Sequence, residues 1–133
     1  VERPAVLYDS DCGFCRASVA LILAWDRRRR LRPLSLQEPE ARRLLPGMDD
    51  EERMSSWHLA LPDGQVRSAG AAFEPMLREL PGGAPLAALA GRFPDAVERG
   101  YRWVTDRRST LGRALPAGLK QRADVLIASR TSD

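Results

Sequence analysis

The sequence predicts an α/β fold in which a βαβ unit and a ββα unit share one central mixed sheet, with additional helices toward the C-terminus. Three observations carry this. A short apolar run, Ala5-Val6-Leu7-Tyr8, leads through Cys12-Gly13-Phe14-Cys15 into a long apolar helix and back to a second apolar run. A Pro62-Asp63-Gly64 turn joins two short strand-like segments. From Gly70 onward the apolar residues recur at helical spacing.

Taken in order, Ala5 to Tyr8 reads as a buried strand and Asp9-Ser10-Asp11 as turn and cap chemistry. A helix is expected from Gly13 to about Arg29. Phe14, Ser18 and Ile22 form one of its stripes, and Ala17, Leu21 and Trp25 the neighbouring one. Leu31 to Leu36 is the second strand, with Pro33 arguing against a central, fully bonded position. The strand–helix–strand unit should cross over right-handed. Glu38 to Leu45 is a short helix with Pro39 in its first turn, ended by Pro46-Gly47. The acidic stretch Met48 to Met54 is a turn or short helix. Strands follow at Ser56–Leu61 and Gln65–Ser68, then helices at Gly70–Leu80 and Pro85–Phe93. Pro94 opens a longer helix from Asp95 to about Leu115, along which Val97, Tyr101, Val104 and Leu111 form a stripe that Arg108 interrupts. Residues 1–115 are expected to form the domain with its helical extension. Residues 116–133 are expected to be a frayed, partly disordered tail with one apolar cluster, Val125-Leu126-Ile127. This is the thioredoxin-like order of elements.

A chain of 133 residues, 44% hydrophobic and 29% charged, is long enough for one domain with its own core and needs no disulfide staples. The longest apolar run, Val19 to Trp25, is too short to span a bilayer. Val1-Glu2-Arg3-Pro4 has neither the basic nor the apolar region of a secretory signal, and two close cysteines make no disulfide scaffold. A cytoplasmic protein is the expectation; with no initiator Met, a trimmed leader stays open. The net charge is +3, and Lys120 is the sole lysine among 21 basic residues. Arg27 to Arg30 are expected to close the first helix, where cations complement the macrodipole. No aromatic residues alternate with them to stack bases, so a nucleic-acid partner ranks last.

Cysteines two residues apart at a helix start can meet across the first turn, where the helix field favours a thiolate. Cys12 is then the exposed attacking thiol, and Cys15, one turn in, the resolving thiol. Asp9 ends the first strand and could take the Cys15 proton; Asp11 opposes the helix field at Cys12. At least one of these aspartates is expected to cap the helix. Gly13 and Phe14 tune solvent access and are the nearest candidates for substrate contact. His58 is expected to be structural and Tyr8 to be core. Trp57 is expected either near the site or on the opposite face, and Trp103 lies off its helix's apolar stripe. Two alternatives remain open: a thioredoxin-like adaptor with incidental cysteines, or metal or iron–sulfur binding through the pair. A mononuclear zinc site would need two further ligands, and the chain has no third cysteine. No cofactor is expected.

Tyr8-Asp9-Ser10-Asp11-Cys12-Gly13-Phe14-Cys15 resembles the signature of the DCC family of thiol-disulfide oxidoreductases, Asp-x-x-Cys-x-x-Cys after a short strand. The hairpin from Trp57 to Val66, the stretch Ser68-Ala69-Gly70-Ala71-Ala72, and the region Tyr101 to Gly112 also resemble that family. The likeness runs from about Ala5 to about Arg113. It implies a thioredoxin-like fold and dithiol–disulfide exchange with a disulfide- or dithiol-bearing protein or small molecule, sustained by a separate electron donor. Ordinary thioredoxins place a cis-proline before the third strand, facing the cysteines. Here Arg53-Met54-Ser55-Ser56 has no proline, and Met54 or Ser55 is expected in that place beside the substrate.

Overall fold

All four residues of strand β1 (Ala5–Tyr8) are buried, as a strand covered on both faces must be. The structure, a computed structural model, describes residues 3–131. Among these, β1 lies between β2 (Arg32–Ser35), which it pairs in parallel, and β3 (His58–Ala60), which runs antiparallel. Strand β4 (Val66–Ser68) pairs with β3, giving the order β2-β1-β3-β4 in one mixed sheet. Alternate residues of β1 feed two cores. Val6 and Tyr8 join Val19, Leu23, Leu59 and Met76 on one face; Ala5 and Leu7 join Leu34, Leu36, Ala41 and Leu45 on the other.

Pro33 sits inside β2, opposite Val6, because β2 is an edge strand. The amides of Arg32 and Leu36 donate to the Pro4 and Tyr8 carbonyls. By the period of two, position 33 faces away from β1, where its missing N–H costs no ladder bond. The β3–β4 hairpin closes as expected. Gly64 takes φ +90° and donates its N–H to the Leu61 carbonyl at 3.0 Å. On the second face lie α2 (Pro39–Leu44) and the short α3 (Asp50–Met54), which Asp49 caps by accepting the Glu52 N–H at 2.7 Å.

Helix α1 (Gly13–Trp25) stops four residues short of the expected end. Arg27 to Arg30 are exposed in the turn that follows, so they do not close the helix. That role falls to Arg130. Its Nη2 donates to the Leu23 and Asp26 carbonyls, each at 2.9 Å, and its Nη1 lies 3.4 Å from the Asp26 carboxylate. Asp26 is completely buried and also accepts the Arg30 and Leu31 amides.

Arg130 belongs to α8 (Ala117–Thr131), in the segment expected to be a frayed tail. That segment is instead a helix packed along α1 through Ala123, Ile127 and Arg130. The spacing of three and four residues puts these on one face. The anticipated apolar cluster does not anchor it as a unit: Val125 is 71% exposed, while Ile127 is buried and Leu126 half-buried.

The helix expected at Gly70–Leu80 is a 3₁₀ turn (Ala69–Ala72) followed by α4 (Phe73–Arg78), and α5 spans Ala84–Arg92. The long helix expected from Asp95 to Leu115 is two, α6 (Pro94–Asp106) and α7 (Arg108–Ala114). The break at Arg107 turns α7 back onto α1. There Gly112 comes so close that a Cβ would lie 3.3 Å from the Phe14 amide nitrogen. At Gly70 a Cβ would lie 2.8 Å from Glu98 Cα, and the Gly70 N–H donates to Glu98 Oε1 at 2.9 Å, which docks α6 on the 3₁₀ turn.

His58 is buried in β3, with Nε2 2.9 Å from the Arg53 carbonyl and Nδ1 2.6 Å from Ser68 Oγ. A neutral ring satisfies both, donating from Nε2 and accepting at Nδ1. Burial holds its pKa below the ordinary 6.5. The unfolded chain therefore protonates first as pH falls, so stability is complete above about 6.5 and declines below it. Urea midpoints should fall between pH 7.5 and 5.5, and His58→Gln should flatten that slope; equal slopes would contradict the assignment. Arg130→Met should cost about 3 kcal/mol, read from the same titrations, because it strands a buried carboxylate.

Candidate active site

Cys12 is the N-cap of α1. Its backbone is extended (φ −97°, ψ 115°), its carbonyl accepts the Arg16 N–H, and its Sγ accepts the Cys15 N–H at 3.2 Å. The cap expected of Asp9 or Asp11 is thus a sulfur. This follows from the turn: Asp9 Oδ1 accepts the Asp11 N–H at 3.0 Å, which spends that carboxylate before the helix begins. A sulfur held against a helix-end amide is stabilised most when it is a thiolate.

Gln37, just beyond β2, holds the turn from below. Its Nε2 donates to Asp9 Oδ1 at 2.8 Å and Asp11 Oδ2 at 3.3 Å, and its Oε1 accepts the Ser10 N–H at 3.2 Å. The strand β2 that α1 connects to therefore also fixes the loop in front of α1.

Each sulfur meets a different cavity. Cys15 lines an apolar one of about 460 Å3 between α1, the sheet and α6, which Phe14, Met54, Trp57 and Tyr101 also line. Its aromatic wall is stacked edge to face, with Trp57–Phe73 centroids 5.1 Å apart and Phe73–Tyr101 centroids 5.9 Å apart. The Tyr101 hydroxyl accepts the Trp57 N–H at 3.1 Å, and the phenol's pKa is raised chiefly by burial. The Trp57 indole N–H is buried with no partner among the described residues. Cys12 and Gly13 line a polar cleft of about 370 Å3, together with Asp11, Arg113 and Lys120. Asp9 and Arg108 line both cavities.

Burial, first, and then the hydrogen bond and charge of Cys12 push the Cys15 thiol up to about 12. The Arg108 charge works against this and the Asp9 charge with it. Cys15 thus holds its proton at neutral pH while Cys12 takes the amide bond.

Of the residues expected at the site, Cys12, Cys15, Asp9, Asp11, Gly13, Phe14 and Met54 come together around the two cavities. Ser55 does not. It is exposed, its Oγ donates to the Glu52 carbonyl at 2.7 Å, and Ser56 and Trp57 line the cavity in its place. His58 and Tyr8 are buried in the fold as expected, although Tyr8 also lines the apolar cavity. Trp103 is 57% exposed, with the Arg107 guanidinium 4.2 Å from its ring centre. Sequence reasoning missed Gln37, Arg108, Arg113 and Lys120. Only Arg108 carried a signal, as the charged residue on the apolar stripe of its helix.

Among the described residues no three His, Cys, Asp or Glu side chains gather to hold a metal, and no helix is long and apolar enough to cross a membrane. A Cys-x-x-Cys pair that opens a helix beside a mixed sheet, with one sulfur on a polar cleft and the other on an apolar cavity, defines a dithiol protein. The chain belongs to the DCC1-like thiol-disulfide oxidoreductase family, whose model matches residues 6–114. No curated protein and no solved structure matches it.

Iodoacetamide at pH 7.5 should label Cys12 first, with Cys15 at least roughly tenfold slower because its thiolate is scarce. Peptide mass spectrometry over a time course reads this directly, and equal rates would contradict the buried-proton assignment.

Proposed function

We propose that the protein is a thioredoxin-like thiol–disulfide oxidoreductase in which Cys12 attacks and Cys15 resolves. The observation that carries this is the pairing of a helix-capping Cys12 Sγ with a Cys15 thiol whose proton is held. The Cys12 thiolate attacks a substrate disulfide, one substrate sulfur leaves as a thiolate and takes a proton from water, and a mixed disulfide remains. Cys15 then loses its proton and attacks Cys12 Sγ. The Cys12–Cys15 disulfide forms, the second substrate thiolate leaves, and two electrons have passed to the substrate.

Two of the causes that hold the Cys15 proton come from Cys12. Both vanish once Cys12 is bound in the mixed disulfide, so Cys15 becomes easier to ionise at the step that needs it. Asp9 receives the proton, directly or through water, and Arg108 stabilises the thiolate that forms. Gly13, Phe14 and Met54 contact the substrate.

A redox titration against dithiothreitol with thiol-trapping mass spectrometry tests the reading. The expected result is a reversible two-electron Cys12–Cys15 couple. Cys15→Ser should accumulate a mixed disulfide on Cys12, and Cys12→Ser should form none. If oxidised, metal-free protein makes no intramolecular disulfide, the reading fails. Partner binding that survives loss of both thiols would then favour an adaptor, and metal content tracking protein concentration a metal site.

A further inference from the structure

The cleft on which Cys12 opens carries more positive than negative charge. Arg108, Arg113 and Lys120 line it against Asp9 and Asp11. Both carboxylates are already engaged by the Gln37 amide. None of the three cations has a carboxylate within ion-pair distance among the described residues. Lys120 lies over the residue next to the nucleophile: a Cβ on Gly13 would be 3.3 Å from its Cε and 3.5 Å from its Nζ. Arg108 and Arg113 come from α7, which Gly112 seats against Phe14. Helices α7 and α8 therefore bring a cationic rim to the mouth of α1.

The surroundings also favour a small substrate over an extended peptide. Beside the cysteines, at the entry to β3, both backbone groups of Trp57 are taken. Its N–H donates to the Tyr101 hydroxyl, and its carbonyl accepts the Ala69 N–H at 3.1 Å. Trp57 therefore offers no free backbone group for a strand to pair with. A cleft of about 370 Å3 is at the small-molecule end of ligand sites.

Resting on the oxidoreductase reading above, we propose that the cleft selects a small disulfide bearing carboxylates, of the kind formed by two cysteine-containing acidic tripeptides. Arg108, Arg113 and Lys120 hold the carboxylates of the half that becomes linked to Cys12. The Cys12 thiolate breaks the substrate S–S bond and keeps that half. The other half leaves as a thiolate and is protonated by water. Cys15 then releases the first half, leaving the protein oxidised by two electrons and both thiols reduced.

The test is a single turnover of pre-reduced protein with glutathione disulfide (anionic), bis(2-hydroxyethyl) disulfide (neutral) or cystamine (cationic). Loss of the Cys12 and Cys15 thiols is followed by acid quench and mass spectrometry. Each rate is divided by that of the same disulfide with dithiothreitol, which removes intrinsic differences in reactivity. The expected order is anionic, then neutral, then cationic. Arg113→Gln and Lys120→Gln should each lower the anionic-to-cationic ratio roughly two- to fivefold. In the unaltered protein, 0.5 M salt (roughly three times physiological ionic strength) should compress the same ratio. Equal normalised rates for all three, or a preference that survives both salt and the substitutions, would overturn the proposal while leaving the exchange reading intact. Oxidation by a disulfide-bonded acidic peptide but not by glutathione disulfide would overturn it in favour of a protein substrate. No oxidation of the pair by any disulfide would instead sink the exchange reading itself.

Discussion

The pairing of Asp26 with Arg130 is the contact on which the arrangement of α1 depends. Asp26 is fully buried at the end of that helix and is satisfied by two backbone amides and one guanidinium. A charge taken out of water is tolerated only when its geometry is this complete. The guanidinium comes from near the end of α8, so closing α1 requires α8 to lie along it. Once α8 is docked, Lys120 at its other end reaches Gly13, and Arg16 on α1 meets Asp124 at 3.0 Å. A structural ion pair at one end of the helix thus helps bring the Lys120 charge beside Cys12 at the other.

The N-terminal half was legible because local and long-range demands agree there. Ala5 to Tyr8 is apolar at every position, as a central strand requires, and the apolar run after Gly13 forms the expected helix, although only Val19, Ala20 and Leu23 are fully buried and Leu21 is 74% exposed. The Pro62-Asp63-Gly64 turn is dictated by the positive φ of Gly64. The C-terminal half was misread where the decisive partner is distant. In 95–115 the one mark of the break is Arg108, which interrupts the apolar stripe beside Arg107, but the spacing resumes at Leu111 and so reads as one helix; the break serves the approach of Gly112 to Phe14. Helix α8 reads as a poor amphipath because one of its three buried anchors is an arginine.

The candidate site shows the same division. Asp9, Cys12 and Cys15 lie within seven residues of one another, and chemistry alone selects them. Gln37 looked like any polar loop residue, because its hydrogen bonds run to side chains 26 and 28 residues away. Arg108 breaks the stripe of its helix because that position lines the two cavities beside the cysteines. One short loop places these sulfurs in unlike solvents: Cys12 opens on a cleft of charged groups and Cys15 on an aromatic wall. Burial on the second side penalises charge on Cys15, which sets that thiol apart from its neighbour without any difference in residue type.

Pro33 has a further effect, at the level of the population of molecules. The outward row of β2 has no N–H at its midpoint, and the opposite edge, β4, is three residues long with an exposed Arg67 at its centre. Proline, charge and brevity are the features that keep sheet edges from recruiting a strand from a neighbour. Two copies meeting at high concentration therefore find little template for edge-to-edge polymerisation, and the four-stranded sheet stays four strands wide.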